Sequence, residues 1–235
     1  MTGGHSQLRG AVALANNAIA EAGLVVHAFG NASQVDRTAG VFAIKPSGIP
    51  CRQVTGDDIV VISLDDGEVV WGDNRPSSDT PTHRAIYNGI DTAGGVVHTH
   101  SIYATAWAQA RLSIPCLGTT HADHFRGPVP VTRPLSTEEV AGDYEANTGR
   151  VIVEMYQTGG LRPDESPGAL VASHGPFAWG EDATAAVEMA AAIELVAELA
   201  SHTLAIRSDQ PALEDHLLDR HFGRKHGPMA YYGQP

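Results

Sequence analysis

The apolar positions of this chain change period along its length, and those changes mark out its elements. Leu8, Val12 and Ile19, with the alanines between them, recur near helical spacing, which predicts a helix over 7–22 closed by Gly23 as a left-handed cap. Apolar runs at 24–26 and 41–44 read as strands, and 59–64 joined through Asp66-Gly67 to 69–71 reads as a hairpin. Thr80 as N-cap with Pro81 at the first helical position opens a helix through residue 90 and leaves Asp79 at its mouth. Ser136 and Glu139 have the spacing of a capping box. The alanine-rich stretch 183–206 predicts a long helix. Its buried side carries Val187, Ile193, Leu195, Val196 and Leu199, with Glu188, Glu194 and Glu198 turned outward. Helix and strand signals alternate without a linker, charge block or repeat, so the expected fold class is α/β, a three-layer α/β/α arrangement around a mostly antiparallel sheet in one domain spanning 1–235.

Two of the short apolar runs end in histidine. Gly94-Gly95-Val96-Val97 leads into His98-Thr99-His100, and residues two apart on a strand project from the same face, so two imidazoles are aimed at one point. Gly168-Ala169-Leu170-Val171-Ala172-Ser173 delivers His174 in the same manner, and Asp79 lies upstream. Three imidazoles and one carboxylate, with no thiolate, are the ligand set of a catalytic divalent site that keeps a position open for substrate. A lone histidine on an apolar strand is more often a satisfied core residue; the paired spacing with a third strand-end histidine is what tips the reading toward metal.

Composition narrows the partners. With 43% hydrophobic and 18% charged residues the chain is an ordinary globular one, and its formal net charge of -12 argues against a nucleic-acid partner. An anionic substrate therefore needs a local cradle. Gly30-Asn31, Lys45-Pro46-Ser47-Gly48 and Ser77-Ser78 each combine small residues, backbone N–H groups and side-chain donors that could hold a phosphate, although each alone also reads as a turn. Cys51 and Cys116 show no disulfide-framework spacing, which suits inert thiols in a reducing cytoplasm. Asn16, Asn17 and Glu21 interrupt the first apolar pattern, which therefore reads as a soluble helix, neither a signal peptide nor a membrane span.

The motifs Lys45-Pro46-Ser47-Gly48, Pro76-Ser77-Ser78-Asp79-Thr80-Pro81-Thr82-His83, His98-Thr99-His100, Gly118-Thr119-Thr120-His121-Ala122-Asp123, Ser173-His174-Gly175-Pro176-Phe177-Ala178-Trp179-Gly180 and Ala230-Tyr231-Tyr232-Gly233-Gln234 resemble the L-ribulose-5-phosphate 4-epimerase family of the class II aldolase and epimerase superfamily, over the whole chain. The resemblance implies the same α/β/α fold, a Zn2+ cofactor and a homotetramer with active sites at subunit interfaces. Mn2+, Co2+ or Fe2+ also suit such ligands. It implies that Asp79, His98, His100 and His174 bind the metal, that Gly30, Asn31, Ser47, Gly48, Ser77 and Ser78 hold the substrate phosphate, and that Asp123 and Tyr232 act as acid and base. It further implies that 211–235 reaches a neighbouring subunit's site, with His221, Arg224 and Lys225 in the basic stretch before the tail; a solvated helix end is the other reading of that stretch. His83, His121 and His124 are expected to support the ligands or cap helices.

The chemistry is coherent with that set. Inverting a carbon that bears a hydroxyl but no acidic C–H requires the adjacent C3–C4 bond to open, and a divalent ion chelated by the C2 and C3 oxygens would stabilise the enediolate left behind. Glycolaldehyde phosphate, held by its phosphate while the aldehyde turns over, would re-add on its other face. The rival is an L-fuculose- or L-rhamnulose-phosphate aldolase. In the fuculose enzyme a glutamate stands where Asp79 stands here, and this chain ends in Tyr231-Tyr232-Gly233-Gln234, so both features favour epimerisation. A Schiff-base aldolase is disfavoured because Lys45 and Lys225 are the only lysines and neither is expected in a buried apolar setting. A non-enzymatic sugar-binding protein with a fully coordinated metal is the remaining alternative.

Overall fold

The computed structural model describes residues 5–25, 29–226 and 230–231. The predicted first helix is α1 (Ser6–Glu21), and Gly23 follows it with a positive φ of 73°. The strands are β1 (Asn31–Asp36), β2 (Val41–Ile44), β3 (Val60–Ser63), β4 (Val69–Trp71), β5 (Gly95–His98), β6 (Gly168–Val171) and β7 (Gly175–Gly180). They form one sheet in the order β4-β3-β2-β1-β5-β7-β6, and each of its six strand-to-strand pairings is antiparallel. Between the strands lie α2 (Thr80–Gly89), α3 (Ile102–Ala110), α4 (Thr119–Ala122), α5 (Thr137–Ala141) and α6 (Tyr144–Thr158). After β7 come α7 (Ala183–Ile206) and α8 (Asp215–Lys225).

Strand alternation makes the layers. Phe42, Ile44, Val60, Ile62, Val96, Phe177 and Trp179 face α2 and α6, where Ile86, Tyr87, Ile152 and Tyr156 complete one buried cluster. Their neighbours Val97 and Ala178 face the opposite way, onto α1, α3 and the alanine face of α7, while Val41, Ala43, Ile59 and Val61 pack on Leu8, Val12 and Ala13 of α1. The small side chains of α7 let it lie close against β5 and β7, which a bulkier helix could not do.

Four expectations need correction. Leu24 and Val25 are not in a strand, since the chain is still leaving the α1 cap there; Val26 lies outside the described residues. The strand that joins the two halves of the sheet is instead β1, Asn-Ala-Ser-Gln-Val-Asp, whose polar residues concealed it. Asn16 holds its start: the amide donates to Ala32 O at 3.1 Å and accepts from Ala32 N at 2.9 Å, where β2 has already ended. Asp79, rather than Thr80, is the N-cap of α2, with no capping bond from its side chain.

Glu194 does not look outward. Its carboxylate accepts from the backbone N–H groups of Tyr103 and Ala104 at 2.8 and 2.9 Å and caps the first turn of α3, a task Ser101 leaves undone. Leu195 and Leu199, expected inside, are each 45% exposed. The Ser136–Glu139 capping box of α5 is present as predicted.

Replacing Glu194 by alanine removes both bonds to the α3 terminus and is expected to lower stability by about 1–2 kcal/mol; urea unfolding measures it, and Glu188→Ala, on an exposed position, serves as the neutral control.

Candidate metal centre

His98 ends β5 and is buried. Its ring stacks on Phe177 at 4.1 Å and 14°, and its Nδ1 lies 3.0 Å from Pro176 O. A carbonyl only accepts, so Nδ1 carries the proton and Nε2 is left as a bare lone pair. That lone pair points at His100, whose Nε2 is 3.1 Å away. His174 sits in the turn between β6 and β7, rather than on the strand itself, with its ring centroid 4.8 Å from His98 and 5.1 Å from His100. The ligand atoms of the three rings all lie within 4.8 Å of one another.

The arrangement fits a divalent cation. Two nitrogens bound to one tetrahedral zinc at ~2.0 Å stand about 3.3 Å apart, close to the separation of His98 and His100. His174 Nδ1 is buried without a hydrogen-bond partner among the described residues. All three rings are held toward the neutral form that binds metal: burial pushes the His98 imidazole down to about 3, and desolvation lowers half-buried His174 and, at the exposed mouth of the cluster, His100.

Asp79 lines the same cavity but stands outside the tight histidine cluster. Its carboxylate accepts from Asn31 Nδ2 at 2.6 Å. Burial works to raise this carboxyl, but His98, His83 and the Asn31 bond outweigh it and hold it below its usual range. Asn31 also reaches Ser77 Oγ at 3.2 Å, so β1 and the entry to α2 are stitched together beside the histidines.

The cavity, about 250 Å³, is lined by His98, His100, His174 and Asp79 together with all six predicted cradle residues, Gly30, Asn31, Ser47, Gly48, Ser77 and Ser78. Gly30 is required where it is: its φ is 96°, and a Cβ there would stand 2.9 Å from His98 O. Three further lining groups escaped the sequence reading, Phe29 and the pair Tyr144-Glu145 that opens α6. The α6 pair lies 114 and 115 residues after Gly30, which leaves no local signal. Lys45 corrects an expectation. It is only 2% exposed, its Nζ donates to Pro46 O at 3.2 Å, and burial lowers its ammonium below the ordinary lysine value. The single lysine in the cavity is thus a buried one.

Asp123 is elsewhere. It follows α4, where Arg224 of α8 grips its carboxylate with Nε to Oδ1 at 2.9 Å and Nη2 to Oδ2 at 2.6 Å, and His221 Nδ1 lies 3.1 Å from Oδ1. Burial opposes ionisation, but Arg224 and His221 hold the carboxyl below its ordinary range. Within one chain Asp123 lines a different cavity from the histidines, beside His124, Lys225 and His226. His221 and Arg224 therefore meet Asp123 of their own chain. Tyr232 lies outside the described residues.

His83 is wholly buried one turn after Asp79, its Nδ1 2.6 Å from Ser33 Oγ, which also meets Tyr87 OH at 2.6 Å. His121 is buried against Phe125.

The family model described as Class II Aldolase and Adducin N-terminal domain matches residues 10–201. The chain is 52% identical over 220 residues to the L-ribulose-5-phosphate 4-epimerase UlaF of Salmonella paratyphi C (strain RKS4594), covering 94% of this chain and 95% of that protein, and equally to the protein of the same name from Salmonella typhi. Among solved structures, an L-fuculose 1-phosphate aldolase superposes with a TM-score of 0.77 at 24% identity, over 93% of this chain and 95% of that one. The L-fuculose 1-phosphate aldolase from Glaciozyma antarctica PI12 superposes with a TM-score of 0.74 at 17% identity, over 96% and 84%. These structural likenesses carry the fold.

The buried histidines set a pH dependence. His98 is pushed down to about 3, and His83 and His121 to about 4. An unfolded imidazole titrates near ~6.5, so the native state binds fewer protons between these values and its stability rises with pH there. The contribution is complete above about pH 7 and is lost as pH falls toward 4. Metal-free protein is expected to take up about three protons from these groups on unfolding at pH ~5, read from the slope of unfolding free energy against pH; a flat profile between pH ~5 and ~7 would contradict this.

Proposed function

The chain belongs to the class II aldolase and adducin family, and on that premise we propose that it is a metal-dependent L-ribulose-5-phosphate 4-epimerase, an isomerase interconverting L-ribulose 5-phosphate and D-xylulose 5-phosphate. The observation that carries the reading is the convergence of His98, His100 and His174 on one point in a cavity whose other wall is made by Asn31, Ser47, Gly48, Ser77 and Ser78. A divalent cation bound by the triad would supply Lewis-acid stabilisation of the charge that develops on two adjacent sugar oxygens. We assign Zn2+ to it, and Asp79, which lines the same cavity, would be the carboxylate available to it.

The remaining work belongs to the chain. Gly30, Asn31, Ser47, Gly48, Ser77 and Ser78 hold the phosphate by backbone N–H and side-chain donors, with the buried charge of Lys45 behind them. A clamped phosphate keeps the aldehyde fragment in place while its carbonyl turns over, which preserves the proximity of the two reacting carbons. Two proton-transfer groups on opposite faces of that carbonyl then serve one direction each, and Asp123 and Tyr232 fill these roles in our reading. Asp123 is kept ionised by Arg224 and His221, as a base must be.

Since Asp123 lines a separate cavity of its own chain, these groups would act on a neighbouring subunit's substrate. We therefore read the molecule as a homotetramer with shared sites, each chain a single domain spanning 1–235 whose 211–235 segment contributes to a neighbouring subunit's site. The exposed Leu195, Leu199 and Ile206 along α7 supply apolar surface for such an assembly. Among the described residues no helix is long and apolar enough to cross a membrane, and we place the enzyme in the cytoplasm.

Metal-loaded protein incubated with L-ribulose 5-phosphate is expected to form D-xylulose 5-phosphate and to lose that activity with a chelator. L-fuculose 1-phosphate should not be cleaved. Tyr232→Phe is expected to cost at least about a hundredfold in turnover, on the scale of general acid–base catalysis, and His100→Asn to weaken metal retention. Full activity after chelation would overturn the reading.

A further inference from the structure

His174 is delivered by a turn whose backbone is held in an unfavourable shape. Between Val171 and His174, where His174 N donates to Val171 O at 2.9 Å, Ser173 has a φ of +65°. The third position of such a turn normally takes glycine or asparagine, because a Cβ is crowded in the left-handed region. Here it is a serine, immediately before a candidate ligand. A second residue of the same kind lies beside it. Arg111, the C-cap of α3, has a φ of +57°, and it too is not a glycine.

The two are joined. Arg111 Nε donates to Ser173 Oγ at 2.9 Å, and Arg111 N and Ser173 N both donate to one acceptor, Ala108 O, at 3.1 and 2.7 Å. The C-terminal end of α3 is therefore a clasp on the turn that carries His174. The other end of α3 begins two residues after His100, where Glu194 caps it. Just past the turn, at the start of β7, the chain is pressed against His98 and its neighbour Thr99: a Cβ on Gly175 would stand 2.9 Å from Thr99 O and 3.5 Å from His98 Cε1. One short helix thus connects the segment bearing His100 to the turn bearing His174.

We infer that Ser173 and Arg111 are positioning residues for the metal centre, the clasp fixing the turn so that His174 meets His98 and His100. Glycine at 173 would relax the backbone but would release the hydroxyl anchor and give the turn other conformations. The serine is kept for its side chain, and the cost falls on the backbone. The inference rests on the metal reading of the triad.

Cobalt(II) provides the probe, through its visible absorption band and its affinity in competition with a chelator. The parent protein should give a band that His100→Asn weakens. Ser173→Gly should leave the thermal midpoint of metal-free protein equal or higher, yet bind cobalt about tenfold more weakly, the scale on which groups supporting metal ligands act, with a shifted band. Arg111→Met should weaken cobalt binding in the same sense, and the double variant should be no weaker than Ser173→Gly, since both break one contact. Parental cobalt affinity and spectrum in Ser173→Gly and Arg111→Met would overturn the inference alone. Affinity and thermal midpoint falling together in Ser173→Gly would likewise overturn it, as a fold defect. A parent whose band is indifferent to His100→Asn would remove the metal reading and this inference together.

Discussion

One hydrogen bond sets the chemistry of this molecule: Nδ1 of His98 on the carbonyl of Pro176. It fixes the tautomer, and stacking on Phe177 fixes the plane, so that a bare nitrogen is presented to His100 and His174. Pairing of β5 with β7 brings that carbonyl to the ring, with His98 in register with Phe177. The same pairing sets the β6–β7 turn, and with it His174, opposite. The sheet's register and the metal centre are consequently one constraint, and a slip of one residue would turn His98 to the other face.

Burial makes this arrangement possible and also costly. Three imidazoles close together, one buried, one half-buried and one exposed, are disfavoured as a charged set, and the protonation of each is suppressed. Asp79 is the counterweight. Its carboxylate, secured by Asn31, supplies the negative charge that a bound divalent cation would need nearby. With a net negative chain, a bound phosphate would depend on local donors, and in our reading the cavity supplies them through its backbone turns, Ser77, Ser78 and the buried Lys45.

Much of this was legible in the sequence. The ends of α1 and α7, the β3–β4 hairpin, the α5 capping box and the His-x-His strand end follow from periodicity and cap chemistry, which are local. What escaped had non-local causes. β1 is a central strand written in polar residues because Asn31 and Ser33 face partners in α2 and its entry, so the usual apolar signature is absent. Glu194 looked like a solvated helix position until α3 was packed against it. Lys45 looked exposed because lysine usually is, and its burial depends on the cavity assembled around it. Tyr144 and Glu145 reach the site only because α6 packs along α2. The gathering of Asp123, His221 and Arg224 within one chain, apart from the histidines, likewise depends on where α8 docks.

Epimerisation here would require a cation held by the three imidazoles with a position left for the sugar. X-ray absorption of zinc-loaded protein, before and after addition of L-ribulose 5-phosphate, addresses this directly. It should show about three imidazole nitrogens near ~2.0–2.1 Å with oxygen completing the shell, and the oxygen contribution should change when the sugar phosphate is added. A shell with fewer than two imidazoles, or one that the sugar leaves untouched, would contradict it.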